Sequence, residues 1–118
     1  MQTITLGRTG LQVSVAGLGC GGHSRLGTAS GGTEDQAADI VRLALDLGIT
    51  FFDTARVYGT EKAVGKGLLG RRDDVVVSTK VTPRKENRLI TAEELRASCE
   101  KSLRSLGTDH IDVFHLHG

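Results

Sequence analysis

Short apolar runs alternate with amphipathic stretches along the chain, and their order predicts most of its elements. Ile4 and Leu6 alternate with polar neighbours, Gly7-Arg8-Thr9-Gly10 supplies turn chemistry, and Leu11, Val13 and Val15 alternate again. That pattern predicts a hairpin. Its second arm runs on into Ala16-Gly17-Leu18-Gly19, an apolar segment that reads as a buried strand, and the glycine-rich residues 21–33 read as a flexible loop. Thr33, with Gln36 three positions on, forms a capping box that opens a helix. Ala37, Ile40, Val41, Ala44 and Leu47 recur along one face of it, and Gly48 ends it. A strand over residues 49–53 follows. A shorter helix begins near Thr60, with Ala63, Val64 and Leu68 as its apolar face and Gly70 as its stop. Residues 75–80 are the next strand, and Pro83 begins a polar loop. Thr91 and Glu94 form a second capping box, and Leu95, Cys99, Leu103 and Leu106 are the buried stripe of the last helix. Gly107 closes that helix, and residues 111–117 form the last strand.

The three helices end in Leu47-Gly48, Leu69-Gly70 and Leu106-Gly107, each glycine suiting a left-handed cap and each followed by a strand. Near-continuous apolar strands separated by helices mean a parallel sheet covered by those helices, hence an α/β fold with right-handed crossovers. Gly17-Leu18-Gly19-Cys20-Gly21-Gly22 matches the dinucleotide fingerprint in letters only. The fingerprint needs a helix to open on those glycines and an acidic residue about 20 positions on. Here the helix begins only near Thr33, and Asp53 comes too late. The better fit is a (β/α)8 barrel of the TIM type, represented by an N-terminal hairpin, about four strands and three helices. In such a barrel the chemistry sits at the C-terminal strand ends.

Composition narrows the partners. At 118 residues the chain is one domain or part of one, with 38% apolar and 25% charged residues and a net charge of +1 from 15 basic and 14 acidic side chains. No basic stripe with interleaved aromatics argues for nucleic acid, and no run approaches membrane-spanning length. Cys20 and Cys99 lie far apart and form no metal-type or redox pair, which fits a reduced, cytoplasmic setting.

Three strands end on chemistry. Residues 49–53 deliver Asp53, residues 75–80 deliver Lys80, residues 111–117 deliver His117, and Tyr58 is the only tyrosine. With parallel strands about 4.8 Å apart, these groups can converge on one rim. Alternation puts Phe51 with Asp53, Ser78 with Lys80, and His115 with His117. A phenol gives up a proton at neutral pH only with help, and an ammonium held within about 4–6 Å supplies it. Asp53 is the natural anchor for that ammonium. Such a set is a general acid for delivering a proton to oxygen, and it has no nucleophile with an adjacent base.

On these residues the sequence resembles the aldo-keto reductases, NADPH-dependent enzymes that reduce aldehydes and ketones on a (β/α)8 barrel. The resemblance is carried by LGRTGLQVSVAGLG, GITFFDTARVYGTEKAVG, VVVSTK and IDVFHLHG, in the family's order. It implies catalytic roles for Asp53, Tyr58, Lys80 and His117. Tyr58 would protonate the carbonyl oxygen, Lys80 paired with Asp53 would tune Tyr58, and His117 would orient the carbonyl. It also implies that Gly19, Cys20 and Gly21, with Asp53, lie beside the nicotinamide, and that the hairpin plugs the bottom of the barrel. A full barrel needs about 250 residues, so residues 1–118 are expected to be its N-terminal portion, lacking most of the cofactor grip. Open strand edges in such a half-barrel favour self-association. Two other readings differ in class. One is a non-enzymatic half-barrel that binds a partner through those edges. The other is a metal-dependent hydrolase built on His115 and His117, which lacks a carboxylate-rich ligand set and has Lys80 as a poor neighbour for a cation.

Overall fold

The computed structural model describes residues 1–118. The chain opens with the antiparallel hairpin β1 (Thr3–Thr5) and β2 (Gln12–Ser14), as the alternation predicts. Four parallel strands follow, β3 (Leu18–Gly19), β4 (Phe51–Asp53), β5 (Val76–Val81) and β8 (Val113–Leu116), in the order β3-β4-β5-β8. Three helices link them: α1 (Glu34–Asp46), α2 (Glu61–Gly67) and α3 (Ala92–Leu106). Between β5 and α3 lies a second hairpin, β6 (Arg84–Lys85) with β7 (Arg88–Leu89), where the sequence reads only as a polar loop. Its tight turn places Glu86 at φ 56, a left-handed conformation unusual for that residue type and invisible to pattern.

Helices α1 and α3 start where their caps dictate. The Thr33 hydroxyl accepts from the Gln36 N–H at 3.1 Å while the Gln36 side chain accepts from the Thr33 N–H at 2.9 Å. Thr91 and Glu94 repeat the arrangement at 3.1 and 2.9 Å. Each such cap contributes about 1 kcal/mol. Gly48, Gly70 and Gly107 follow the helices at φ 93, 79 and 62, so the left-handed exits stand as predicted.

The core lies between the sheet and the helices. Phe52 and Val77 pair across β4 and β5 and pack with Val41, Ala63, Val64, Leu68 and Leu106. Burying each large apolar side chain contributes roughly 1.5–3 kcal/mol. Helix α1 corrects the predicted stripe: Ala37, Ala38, Val41, Ala44 and Leu45 are buried, whereas Ile40 and Leu47 are exposed. The reason is the closeness of α2. A Cβ at Gly67 would stand 2.6 Å from the Val41 side chain and 2.8 Å from the Ala38 carbonyl oxygen, so the two helices meet closely at Ala38 and Val41, and the buried face is turned toward Ala37, Ala38, Val41, Ala44 and Leu45 and away from Ile40 and Leu47. Residues 21–33, expected as a loose loop, form a chain of hydrogen-bonded turns, and Leu26 sits buried in the core at φ 58.

The opposite face of the sheet carries the hairpin. The Ser14 N–H donates to the Thr50 hydroxyl, and the Thr50 N–H donates to the Ser14 hydroxyl, both at 2.9 Å, fixing β2 to the entrance of β4. Ile4, Leu6, Val13, Val15, Leu18 and Phe51 then line an open concavity of about 380 Å³ that Asp53 also lines.

Candidate active site

Asp53 ends β4, and Ser78 stands opposite it on β5. Two positions along β5, on the same face, Lys80 stands opposite His115. The Lys80 ammonium donates to both Asp53 carboxylate oxygens at 2.7 Å and to the Thr54 carbonyl at 2.8 Å. The Ser78 hydroxyl donates to Asp53 Oδ1 at 2.8 Å. Three acceptor atoms match the three protons of an ammonium, so Lys80 has no freedom left to wander. The side chain of Lys80 is only 14% exposed, which keeps its charge close to the rim rather than dispersed in water. The Ser78 contact is one that the alternation pairs with Lys80 but that residue type alone did not single out.

Tyr58 enters from a different element. It closes a 3-10 turn, Arg56–Tyr58, that leaves through Gly59 at φ 72. Lys80 Nζ lies 5.2 Å from the Tyr58 ring centroid, within cation–π range. The His117 ring meets Tyr58 edge-on, with centroids 5.6 Å apart and planes at 84°. His117 lies just past β8, yet its backbone N–H donates to the Val81 carbonyl at 2.8 Å. The four residues singled out from the sequence therefore stand together at one rim. His115 is exposed on β8, and no three His, Cys, Asp or Glu side chains converge on a common point that could hold a metal.

Gly19, Cys20 and Gly21 run beside this rim, and each has a different local constraint. Gly19 pairs with Asp53 and is open, since a Cβ there would meet nothing within 4 Å. Cys20 is buried, and its thiol faces the core. Burial above all, then the Asp53 charge, pushes that thiol up to about 12 against the pull of Lys80. What Cys20 offers the rim is backbone: its N–H donates to the Asp53 carbonyl at 2.8 Å, and its carbonyl accepts from the Thr60 hydroxyl at 2.9 Å. Gly21 lies against the Tyr58 ring, where a Cβ would stand 2.7 Å from Cε2 and Cζ. Nothing local in sequence announces that contact, because the two residues are 37 positions apart.

The sequence profile described as "Aldo/keto reductase family" matches residues 18–118. The chain belongs to the aldo/keto reductase family. It is 44% identical to an L-galactose dehydrogenase of Arabidopsis thaliana over 95% of its own length and 36% of that protein's. It is 36% identical to an aldo-keto reductase of Bacillus subtilis over 99% of its length and 38% of that protein's. In three dimensions it resembles an aldo-keto reductase of Bacillus halodurans solved in its holo form, with a TM-score of 0.84 and 38% identity, covering the whole of this chain and 40% of that one. An aldo-keto reductase of Bombyx mori solved in complex with NADP gives a TM-score of 0.78 at 27% identity. The chain thus spans well under half the length of these relatives, and its four parallel strands are part of a (β/α)8 barrel. Membership places the chain in an oxidoreductase family, and no helix is long and apolar enough to cross a membrane.

Proposed function

We propose that residues 1–118 are the N-terminal portion of an NAD(P)H-dependent barrel that interconverts an aldehyde or ketone and an alcohol, and that they supply all four of its reacting side chains. The observation that carries this is the ammonium of Lys80, locked by Asp53 at 2.7 Å and set 5.2 Å from the Tyr58 ring. Tyr58 is the proton donor to the carbonyl oxygen. Lys80 places a fixed positive charge where negative charge develops on the phenolic oxygen as that proton leaves, a preorganised electrostatic role. Asp53 holds Lys80 charged and in place, and the Ser78 hydroxyl adds a second donor to the carboxylate at Oδ1. His117, edge-on to Tyr58, is placed to direct a hydrogen bond at the same carbonyl oxygen and fix its angle of approach.

The rim fits the reactive end of a nicotinamide. Gly19 leaves open space beside Asp53, Gly21 brings backbone against Tyr58, and Asp53 keeps 41% of its side chain exposed next to them. Gly19, the Cys20 backbone, Gly21 and Asp53 are accordingly the residues of this chain that would hold it. When bound, that group supplies the hydride that this residue set cannot. The four residues do the rest: they bind and orient the carbonyl and move one proton at its oxygen.

The free edges of β3 and β8 each lack a second partner, and the remaining strands of the barrel take those positions. Without them the same edges self-associate. The 44% identity to a protein named for L-galactose favours a hydroxylated, sugar-like substrate and the oxidative direction, in which Tyr58 accepts the proton instead. Two thiols with no disulfide suit a reducing, cytoplasmic compartment. The test is Tyr58→Phe in a complete barrel carrying this chain. Carbonyl reduction is expected to fall by at least about 10²-fold, the scale of a lost general acid, with cofactor affinity retained. Unchanged turnover would overturn the assignment.

A further inference from the structure

Glu61 is the one charged residue that the fold buries, at 3% exposure, and the chemistry above leaves it without a part. It opens helix α2, yet its carboxylate is turned away from solvent and bonded on both oxygens. Oε1 accepts from the Thr79 hydroxyl on β5 and the Ser102 hydroxyl on α3, both at 2.7 Å. Oε2 takes the Arg56 guanidinium at 3.0 Å, and the same guanidinium nitrogen reaches the Ser105 hydroxyl at 3.5 Å. A helix start needs no such arrangement. An acidic residue in a first turn is favourable when exposed, whereas withdrawing a carboxylate from water is expensive unless it is paired and bonded.

The identity of the partners gives the network its meaning. Thr79 immediately precedes Lys80 on β5, and alternation sends their side chains to opposite faces of the sheet. Arg56 begins the 3-10 turn that Tyr58 closes. One buried carboxylate on the helix side therefore grips the neighbours of the two residues that must meet on the site side. We infer that Glu61 is a positioning residue for Tyr58 and Lys80, acting through Arg56 and Thr79 without touching any reacting atom. The other end of the Tyr58 segment is tied separately: the Thr54 and Thr60 hydroxyls bond at 2.9 Å, and Thr60 donates to the Cys20 carbonyl at 2.9 Å. Glu61 and Arg56 supply the tie that this pair cannot, at the start of the turn.

The inference rests on Tyr58 being the proton donor, so its test needs a readout that does not depend on activity. Tyr58 is the only tyrosine of this chain, which has no tryptophan, so in a complete barrel with every tyrosine and tryptophan outside these residues replaced by phenylalanine, intrinsic fluorescence reports on that ring alone. Glu61→Gln keeps an oxygen for Thr79 and Ser102 but turns an amide toward Arg56, cutting the ionic tie. Arg56→Met/Glu61→Gln removes both charges and leaves no stranded carboxylate. In both variants acrylamide quenching of Tyr58 is expected to rise at least two-fold in the folded protein, beside whatever melting temperature the lost buried bonds cost. In a complete barrel, kcat is expected to fall about ten-fold with KM within two-fold, and Arg56→Lys is expected to recover part of the loss. If Glu61→Gln fails to fold, the double variant decides the matter. Quenching and kcat equal to the parent in the folded double variant, or a loss confined to melting temperature, would overturn the inference. A parent barrel that reduces no carbonyl would instead overturn the functional reading, and the quenching result would still decide the positioning.

Discussion

Replacing Gly21 with alanine tests the geometry of the rim in a single atom. Gly21 does not occupy the left-handed region, so alanine meets no backbone strain there. The added methyl, however, would stand 2.7 Å from Cε2 and Cζ of Tyr58 and 2.9 Å from Cδ2. Non-bonded carbons rest about 3.5–4.0 Å apart, so the ring must retreat by about 1 Å. Its retreat is hemmed by Lys80, 5.2 Å from the ring centroid, and by the His117 ring at 5.6 Å. A displacement of about 1 Å at a reacting group costs on the order of 10²-fold in rate, or about 2.7 kcal/mol of barrier at 1.36 kcal/mol per decade. Stability should move little, because Tyr58 is half-exposed and glycine-to-alanine at a compatible site restores about 0.4–1 kcal/mol through the unfolded chain. The assay is steady-state carbonyl reduction by a complete barrel carrying the substitution, beside a urea melt of the same protein. A rate within three-fold of the parent in a folded protein would refute the argument that Gly21 sets the position of Tyr58.

Two further outcomes concern the scaffold. Gly67→Ala gains about 1 kcal/mol of helix propensity on paper, but its Cβ lands 2.6 Å from Val41, and overpacking costs about 1–3 kcal/mol. A net loss in urea midpoint is expected, and a more stable protein would show that α1 and α2 do not pack this closely. The Glu94 carboxyl, held down to about 2 by Arg88 first and by the Thr91 N–H, stabilises the start of α3 fully above its ordinary value near 4.5. That contribution is lost as pH falls from about 4.5 toward 2, because the folded form must then take up a proton it resists. Arg88→Met should move the loss of amide-exchange protection at residues 91–95 to higher pH, and an unchanged profile would contradict the cause assigned.

The sequence made visible whatever is decided locally. Thr33 and Thr91 start their helices because a hydroxyl and a side chain three residues on satisfy each other regardless of the rest of the fold. Asp53, Lys80 and His117 were legible because parallel strands carry side chains to one rim, and Tyr58 because it follows the first of them closely. Apart from the β6–β7 hairpin, whose turn at Glu86 is local, the misreadings need partners distant in sequence. Ile40 and Leu47 look like core until the close α1–α2 contact turns the buried face toward Ala38, Val41 and Leu45. Leu26 sits in a glycine-rich stretch and is buried only because the core has a place for it. The burial of Glu61 goes unsignalled in the sequence, since nothing near it reveals Ser102, which stands 41 positions away. Gly21, which the resemblance implies lies beside the nicotinamide, gives no local sign of its contact with Tyr58. Hydrophobic patterning finds faces, and it has no access to a polar group whose burial is compensated from elsewhere.

The central claim is that Tyr58 and Lys80 act as one unit at the rim. The most direct test is a double-variant cycle of Tyr58→Phe and Lys80→Met on kcat/KM in a complete barrel. If Lys80 works through Tyr58, the double variant should be no slower than the slower single variant, as residues acting as a unit are strongly non-additive. Losses that simply multiply would contradict the account and assign the two residues separate tasks.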